Sequence, residues 1–192
     1  KDRLAPGYLE REKIGTLDRA LVREMGDLGL IGVDLPERYG GLGASGVTSG
    51  IVIESIAYGD FNVSYVNLIA SLMGQILAHH ARPEVAEHWV PAMIKGEKIV
   101  GLGLTEPRGG SDAANLVLTA RRKGDGYVLN GEKTSISFAA DADGAVVWAR
   151  TGTAEQGARG AQLRRAWQWT HLLLFWPIPV LLVLHVLKSY YF

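Results

Sequence analysis

The chain has 192 residues, with 20 Lys and Arg balanced by 20 Asp and Glu, so no net charge draws it towards nucleic acid. It holds no cysteine, which excludes disulfides, thiolate nucleophiles and cysteine-ligated metal or iron–sulfur sites and agrees with a reducing, cytoplasmic setting. The first thirty residues are dense in charge and lack the apolar stretch of a secretory signal. Lys1 is not an initiator methionine, and the natural start is expected upstream of it.

The first hundred residues carry helical periodicity. Thr16 is expected to cap a helix whose Leu17, Leu21, Met25 and Leu28 share one face while Asp18, Arg19, Arg23 and Glu24 stay wet, with Gly26 or Gly29 ending it. Residues 30–35 form a short apolar run. It closes in the loop Pro36-Glu37-Arg38-Tyr39-Gly40-Gly41-Leu42-Gly43, too rich in turn formers for regular structure and read as structural. Helices are expected over 48–58 and 63–80, the second with Val66, Ile69, Ala70, Met73, Ile76 and Leu77 along its apolar stripe. Pro83 opens a further helix at a position where its missing N–H is harmless. His79 and His80 are adjacent, point different ways and cannot clamp one metal; they read as solvated helix-end residues.

From Ile99 the period shortens towards two, with apolar runs at 99–104, 116–121, 127–129, 133–138 and 145–150. Asn130-Gly131, between 127–129 and 133–138, is the strongest hairpin signal. Helices followed by strands imply packed α and β subdomains and not a doubly wound sheet. The turn Thr105-Glu106-Pro107-Arg108-Gly109-Gly110-Ser111-Asp112 combines glycines with small hydroxyls, a backbone that can approach a phosphate and point N–H groups at it. A hairpin beside such a loop makes a pocket wall for an anion and a flat ring. Glu106 and Asp112 read as hydrogen-bonding loop residues and not as an acid–base pair.

Taken in order, Pro36 to Gly43, Gly96-Glu97-Lys98, Leu104 to Asp112, and Asn130-Gly131-Glu132-Lys133 with Ile136-Ser137 resemble the acyl-CoA dehydrogenase family over roughly residues 10–160. The resemblance implies FAD as cofactor and α,β-dehydrogenation of an acyl-CoA thioester: a carboxylate takes the α proton and the β hydrogen leaves as hydride to the flavin. It places Leu102, Gly103, Leu104, Thr105, Gly110 and Ser111 along the flavin, with Thr105 supplying a hydroxyl to its polar edge and Ser111 facing the pyrophosphate or the CoA. Ser135, Ile136 and Ser137 form the second flavin contact. Ser135 stands where many members carry a tryptophan, and Ser137 where a threonine is common. The family's four-helix C-terminal domain, the usual source of the catalytic carboxylate and of most tetramer contacts, finds no counterpart in the sequence, so the expectation is an incomplete fragment lacking the catalytic base, with no catalytic and no metal residue assigned. Electron-transfer flavoprotein and a homo-oligomer are the partners implied.

Residues 166–187 carry no Asp, Glu, Lys or Arg, enough at ~1.5 Å per residue to cross a ~30 Å hydrocarbon layer. Arg164 and Arg165 precede that run, tryptophans sit at one end and tyrosines at the other, the pattern of a transmembrane helix with its N-terminal side cytoplasmic. His171 and His185 lie on one face about 21 Å apart, a spacing that in membrane b-type cytochromes serves two haems, though packing histidines are the favoured reading. The expectation is thus an α+β chain with an all-α N-terminal domain (1–98), a partial antiparallel β domain with flavin-binding loops (99–160) and one hydrophobic, transmembrane helix (161–192). The tail is expected to come from a gene fusion or assembly junction near residue 160. The alternatives are a membrane-anchored, non-catalytic binding module and a fusion whose tail derives from a cytochrome b-like protein.

Overall fold

A computed structural model describes residues 2–152. Backbone packing divides them into two compact units, one holding 2–107 and 133–148, the other 108–132 and 149–152.

The first unit is built on five helices: α1 (Tyr8–Ile14), α2 (Arg19–Asp27), α3 (Gly46–Ala57), α4 (Phe61–His80) and α5 (Pro83–Ile94). Each of the three middle helices starts where a short acceptor side chain can take a free backbone N–H. Asp18, and not the expected Thr16, caps α2 by accepting from the N–H of Ala20 and Leu21 at 2.9 and 3.1 Å. A carboxylate also suits the positive end of the helix dipole better than a hydroxyl. Ser45 caps α3 through Thr48 N–H at 3.1 Å. Asp60 caps α4 through Val63 N–H at 3.1 Å. Its buried carboxylate also accepts from Arg11 Nε of α1 at 2.8 Å, so a single side chain starts α4 and ties α1 to it.

Helix α4 is the hub. Nine of its residues are buried, and α3, α5 and the first strand pack against it, which is why its apolar residues surround the axis instead of forming a stripe. Val22, Met25, Ile31, Ile56, Val66, Ile69, Met73 and Met93 make the main core, and Leu35, Ala78, Ala86, Val90 and Ile94 a second cluster beneath the 36–43 loop. Within that loop Glu37–Tyr39 form one 3-10 turn, and Arg38 Nη2 donates to Ala78 O at 3.0 Å, tying the loop to the end of α4. By length and composition α4 alone among the described helices could cross a membrane, yet half of its most apolar window is buried inside the protein.

Strands β1 (Val100–Gly103) and β4 (Gly144–Val147) close the unit as a parallel pair, Val100 opposite Gly144 and Gly103 opposite Val147. This corrects the antiparallel expectation: the long excursion between these strands returns the chain in the same direction, as a parallel pair requires. Asp143 anchors the entry to both strands, accepting from Arg19 Nη1 and from Ile99 N–H, each at 2.8 Å. The Arg19 hydrogen bond, aided by the Ile99 N–H and opposed by burial, holds its carboxyl below the usual carboxylate range.

The second unit contains the antiparallel hairpin of β2 (Thr119–Lys123) and β3 (Gly126–Asn130). Its loop is Gly124-Asp125, not Asn130-Gly131. Gly124, at φ +61°, sits at the first central position, the place at which a two-residue hairpin turn demands glycine. Asn130 is still paired with Thr119, and Gly131 at φ +141° does not adopt the left-handed turn conformation. Arg150 adds a bridge on the other side of β2, receiving Ala120 N–H at 2.9 Å and donating to Leu118 O at 2.8 Å. The expected strand over 133–138 does not form, because Ser135 and Phe138 take left-handed φ of 53° and 58°. The run 166–187, its expected membrane span and the two histidines proposed for haem lie outside the described residues.

Candidate functional site

In the first unit two segments that are far apart in sequence are laced together. Strand β1 delivers Leu102 and Gly103, and the chain then leaves the sheet through Leu104, Thr105 and Glu106. Beside that exit runs the 133–137 segment. Thr134 N–H donates to Thr105 O at 2.9 Å. Lys133 Nζ donates to Leu104 O at 2.9 Å and pairs with Glu106 Oε1 at 2.9 Å. Ile136 lies over β1 at Gly101, where a Cβ would come within 3.2 Å of Ile136 Cγ2 and would require that side chain to give way slightly. Phe138 anchors the far end of the segment on α4 through Tyr65, ring centroids 6.1 Å apart.

Leu102, Gly103, Leu104, Thr105, Ser135, Ile136 and Ser137 therefore share one unit and one local structure. Thr105, Ile136 and Ser137 are half-buried and Ser135 is exposed. None of the hydroxyls of Thr105, Ser135 and Ser137 has a hydrogen-bond partner among the described residues. Leu102, Leu104 and Ile136 are half-buried apolar residues in the same two segments as these uncommitted hydroxyls, residue types that a flat heteroaromatic ring with a polar edge can use. Gly110 and Ser111 fall in the second unit, Gly110 half-buried and Ser111 exposed. There Asp112 accepts from Asn115 Nδ2 at 2.8 Å, while Glu106 in the first unit is committed to Lys133; both act as loop-bonding carboxylates, as expected.

On another side of the 136–141 turn lies a cleft of about 510 Å³ bounded by α1, the start of α2 and the start of α4. Its rim carries Glu12, Asp18, Asp60 and Asp141 against Arg11, which is already paired with Asp60. That excess of carboxylates repels phosphate. Among the described residues no group of three or more His, Asp or Glu could hold a metal ion.

The ion pair of Lys133 and Glu106 was hidden from sequence reasoning because nothing in the spacing of 106 and 133 announces a contact. The local pattern gives no signal either, since Lys133 follows directly on Glu132 and precedes Thr134 and Ser135, a string that reads as solvated.

Residues 1–97 match the family description "Acyl-CoA dehydrogenase, N-terminal domain" and residues 101–164 "Acyl-CoA dehydrogenase, middle domain". A helical domain leading into the start of a β domain is the fold of this class, and the chain belongs to the acyl-CoA dehydrogenase family. It is 36% identical to 3-(aryl)acrylate reductase of Clostridium sporogenes over 144 residues, covering 74% of this chain and 38% of that protein. With human mitochondrial short-chain specific acyl-CoA dehydrogenase the identity is 38% over 155 residues, or 80% of this chain and 37% of the relative. Among solved structures, glutaryl-CoA dehydrogenase from Mycobacterium smegmatis in complex with FADH2 superposes with a TM-score of 0.73 at 32% identity, over 78% of this chain and 39% of that one. The chain thus spans about two fifths of the length of these relatives.

Proposed function

We propose that this chain forms one wall of an FAD site in an acyl-CoA dehydrogenase-type oxidoreductase acting on an acyl-CoA thioester. The observation that supports the reading is the lacing of the β1 exit to the 133–137 segment, two segments that carry half-buried apolar residues and three uncommitted hydroxyls. Leu102, Leu104 and Ile136 would hold the ring's apolar body. Thr105 and Ser137 would bond its polar edge, and Ser135, smaller than the tryptophan common at that position, would leave more of the ring uncovered. Gly110 and Ser111 would take the pyrophosphate or the CoA, in line with the acidic rim that makes the 510 Å³ cleft unsuited to phosphate. When bound, FAD supplies hydride acceptance; the residues named here bind and orient it and exclude water. Support for the cofactor comes from the family and from the FADH2-bound structural relative. An electron-transfer flavoprotein as electron acceptor and a homo-oligomeric state are part of the same reading, by family membership.

Titrating FAD with the purified chain and following flavin fluorescence tests it. Saturable quenching or a shifted visible band is expected, and acyl-CoA-dependent bleaching of that band extends the reading to turnover. Flavin fluorescence that stays unchanged at high protein concentration would refute the site. Binding without bleaching would favour a binding module over an enzyme for this length of chain.

A further inference from the structure

The side chains of Lys133 and Glu106 are 5% and 4% exposed, with Nζ and Oε1 2.9 Å apart. Taking two charges out of water is costly, and a buried pair is a poor device for stability, because apolar residues of similar volume do as well or better. What a buried pair does supply is position. The Lys133 ammonium reaches both Leu104 O and Glu106 Oε1 at 2.9 Å, so one side chain fixes the backbone at 104 and the side chain at 106. The next residue, Thr134, fixes 105 through its N–H. Three consecutive residues of the β1 exit are thereby held to two consecutive residues of the other segment. Ser135 follows at once in a left-handed conformation that a residue with a Cβ enters at a cost and keeps only where its surroundings over-determine it. Phe138, also left-handed, closes the segment on Tyr65.

We propose that the Lys133–Glu106 pair is a positioning clamp: it sets the spacing between the Leu102–Thr105 and Ser135–Ser137 faces, and through that spacing the affinity and the environment of the bound flavin ring. The inference rests on the flavin reading above. Neither residue is placed against the ring; both act through Leu104, Thr105 and Ser135.

The decisive variant is the double substitution Glu106→Leu with Lys133→Met, which removes both charges and keeps apolar volume. Its melting temperature is expected at or above that of the unaltered chain, while the FAD dissociation constant rises at least about tenfold and the fine structure of the visible flavin band changes. Lys133→Arg, which keeps a cation able to reach both acceptors, is expected to restore most of the affinity. A double variant that melts as expected and binds FAD with the original affinity and spectrum overturns the clamp. Should it fail to fold, Glu106→Gln replaces it, with weakened FAD binding expected and unchanged binding overturning the proposal. Amide exchange gives a readout independent of flavin: Thr134 N–H should lose protection in the variants while α4 amides keep theirs. If the unaltered chain binds no FAD, the site reading fails, and the clamp is judged on exchange alone, where unchanged protection at Thr134 refutes it.

Discussion

Leu35 offers a direct test of the packing that supports the helical unit. Its side chain is 0% exposed and lies in the cluster of Ala78, Ala86, Val90 and Ile94. A Cβ built on Gly74 would come within 2.5 Å of Leu35 Cδ1, so helix and loop touch with no slack. Leu35→Ala deletes three carbon groups worth about 0.8 kcal/mol each, or about 2.4 kcal/mol in lost transfer free energy. The neighbours facing the hole are small or fixed on α4 and α5 and cannot collapse into it, so the cavity term lifts the expected loss to about 3–4 kcal/mol. For a chain of this size that is a drop on the order of 10 °C in melting temperature. Urea unfolding followed by far-UV circular dichroism measures it, with the slope unchanged because the surface exposed on unfolding is the same. A loss below about 1 kcal/mol at unchanged slope would show that the 36–43 loop is not plugged into the helices by this residue. Since Leu35 touches neither the β1 exit nor the 133–137 segment, FAD titration well below the melting transition should be unaffected.

Asp60→Ala removes the cap of α4 and strands Arg11, whose side chain is 23% exposed; a loss of about 2–4 kcal/mol is expected in the same urea experiment, and a neutral result would refute the assigned double role. Asp143 has a lowered folded-state value, so its contribution is present above the unfolded carboxylate value near ~3.9 and disappears as pH falls through the lower, folded one. Because the pair with Arg19 is about one third exposed on each side, solvent screens it, and Asp143→Asn should cost only about 0.5–1 kcal/mol at neutral pH. The variant's stability should also fall less steeply with acid, and parallel pH profiles would contradict this. Gly124→Ala forces a Cβ into φ +61° and should destabilise the hairpin by about 1 kcal/mol, read as faster amide exchange in β2 and β3 with the helical unit unchanged. Phase partition in a cloud-point detergent tests the tail: the full chain should enter the detergent phase if residues 166–187 span a membrane, and truncation before residue 161 should return it to water.

Much of the helical unit was legible in the chain. Periodicity placed α3, α4 and α5 within two residues of their observed starts, because the stripe that packs on a core recurs with the helical repeat, and Pro83 marked a start through its own missing donor. The order of glycine-rich and Asn-Gly-Glu-Lys strings also carried the family. Asp18, expected only on the wet face of α2, displaced Thr16 as its cap, because the geometry of the first turn decides which acceptor reaches the free N–H groups. Asn130-Gly131 misled for a similar reason. A turn dipeptide states what a backbone is able to do, and here pairing of Asn130 with Thr119 kept it in the strand while Gly124 made the turn.

What the sequence determined by itself was local and compositional: which segments have an apolar face, which residues can cap or turn, and which strings belong to the family. Tertiary structure decided the rest. It made β1 and β4 parallel, it bent 133–138 out of the strand its alternation suggests, and it brought Lys133 to Glu106. These are long-range choices, set by which partners a buried charge or an unpaired backbone group can find once the chain is closed. No periodicity records them, because the cost of leaving such a group unpaired is felt only in the folded interior.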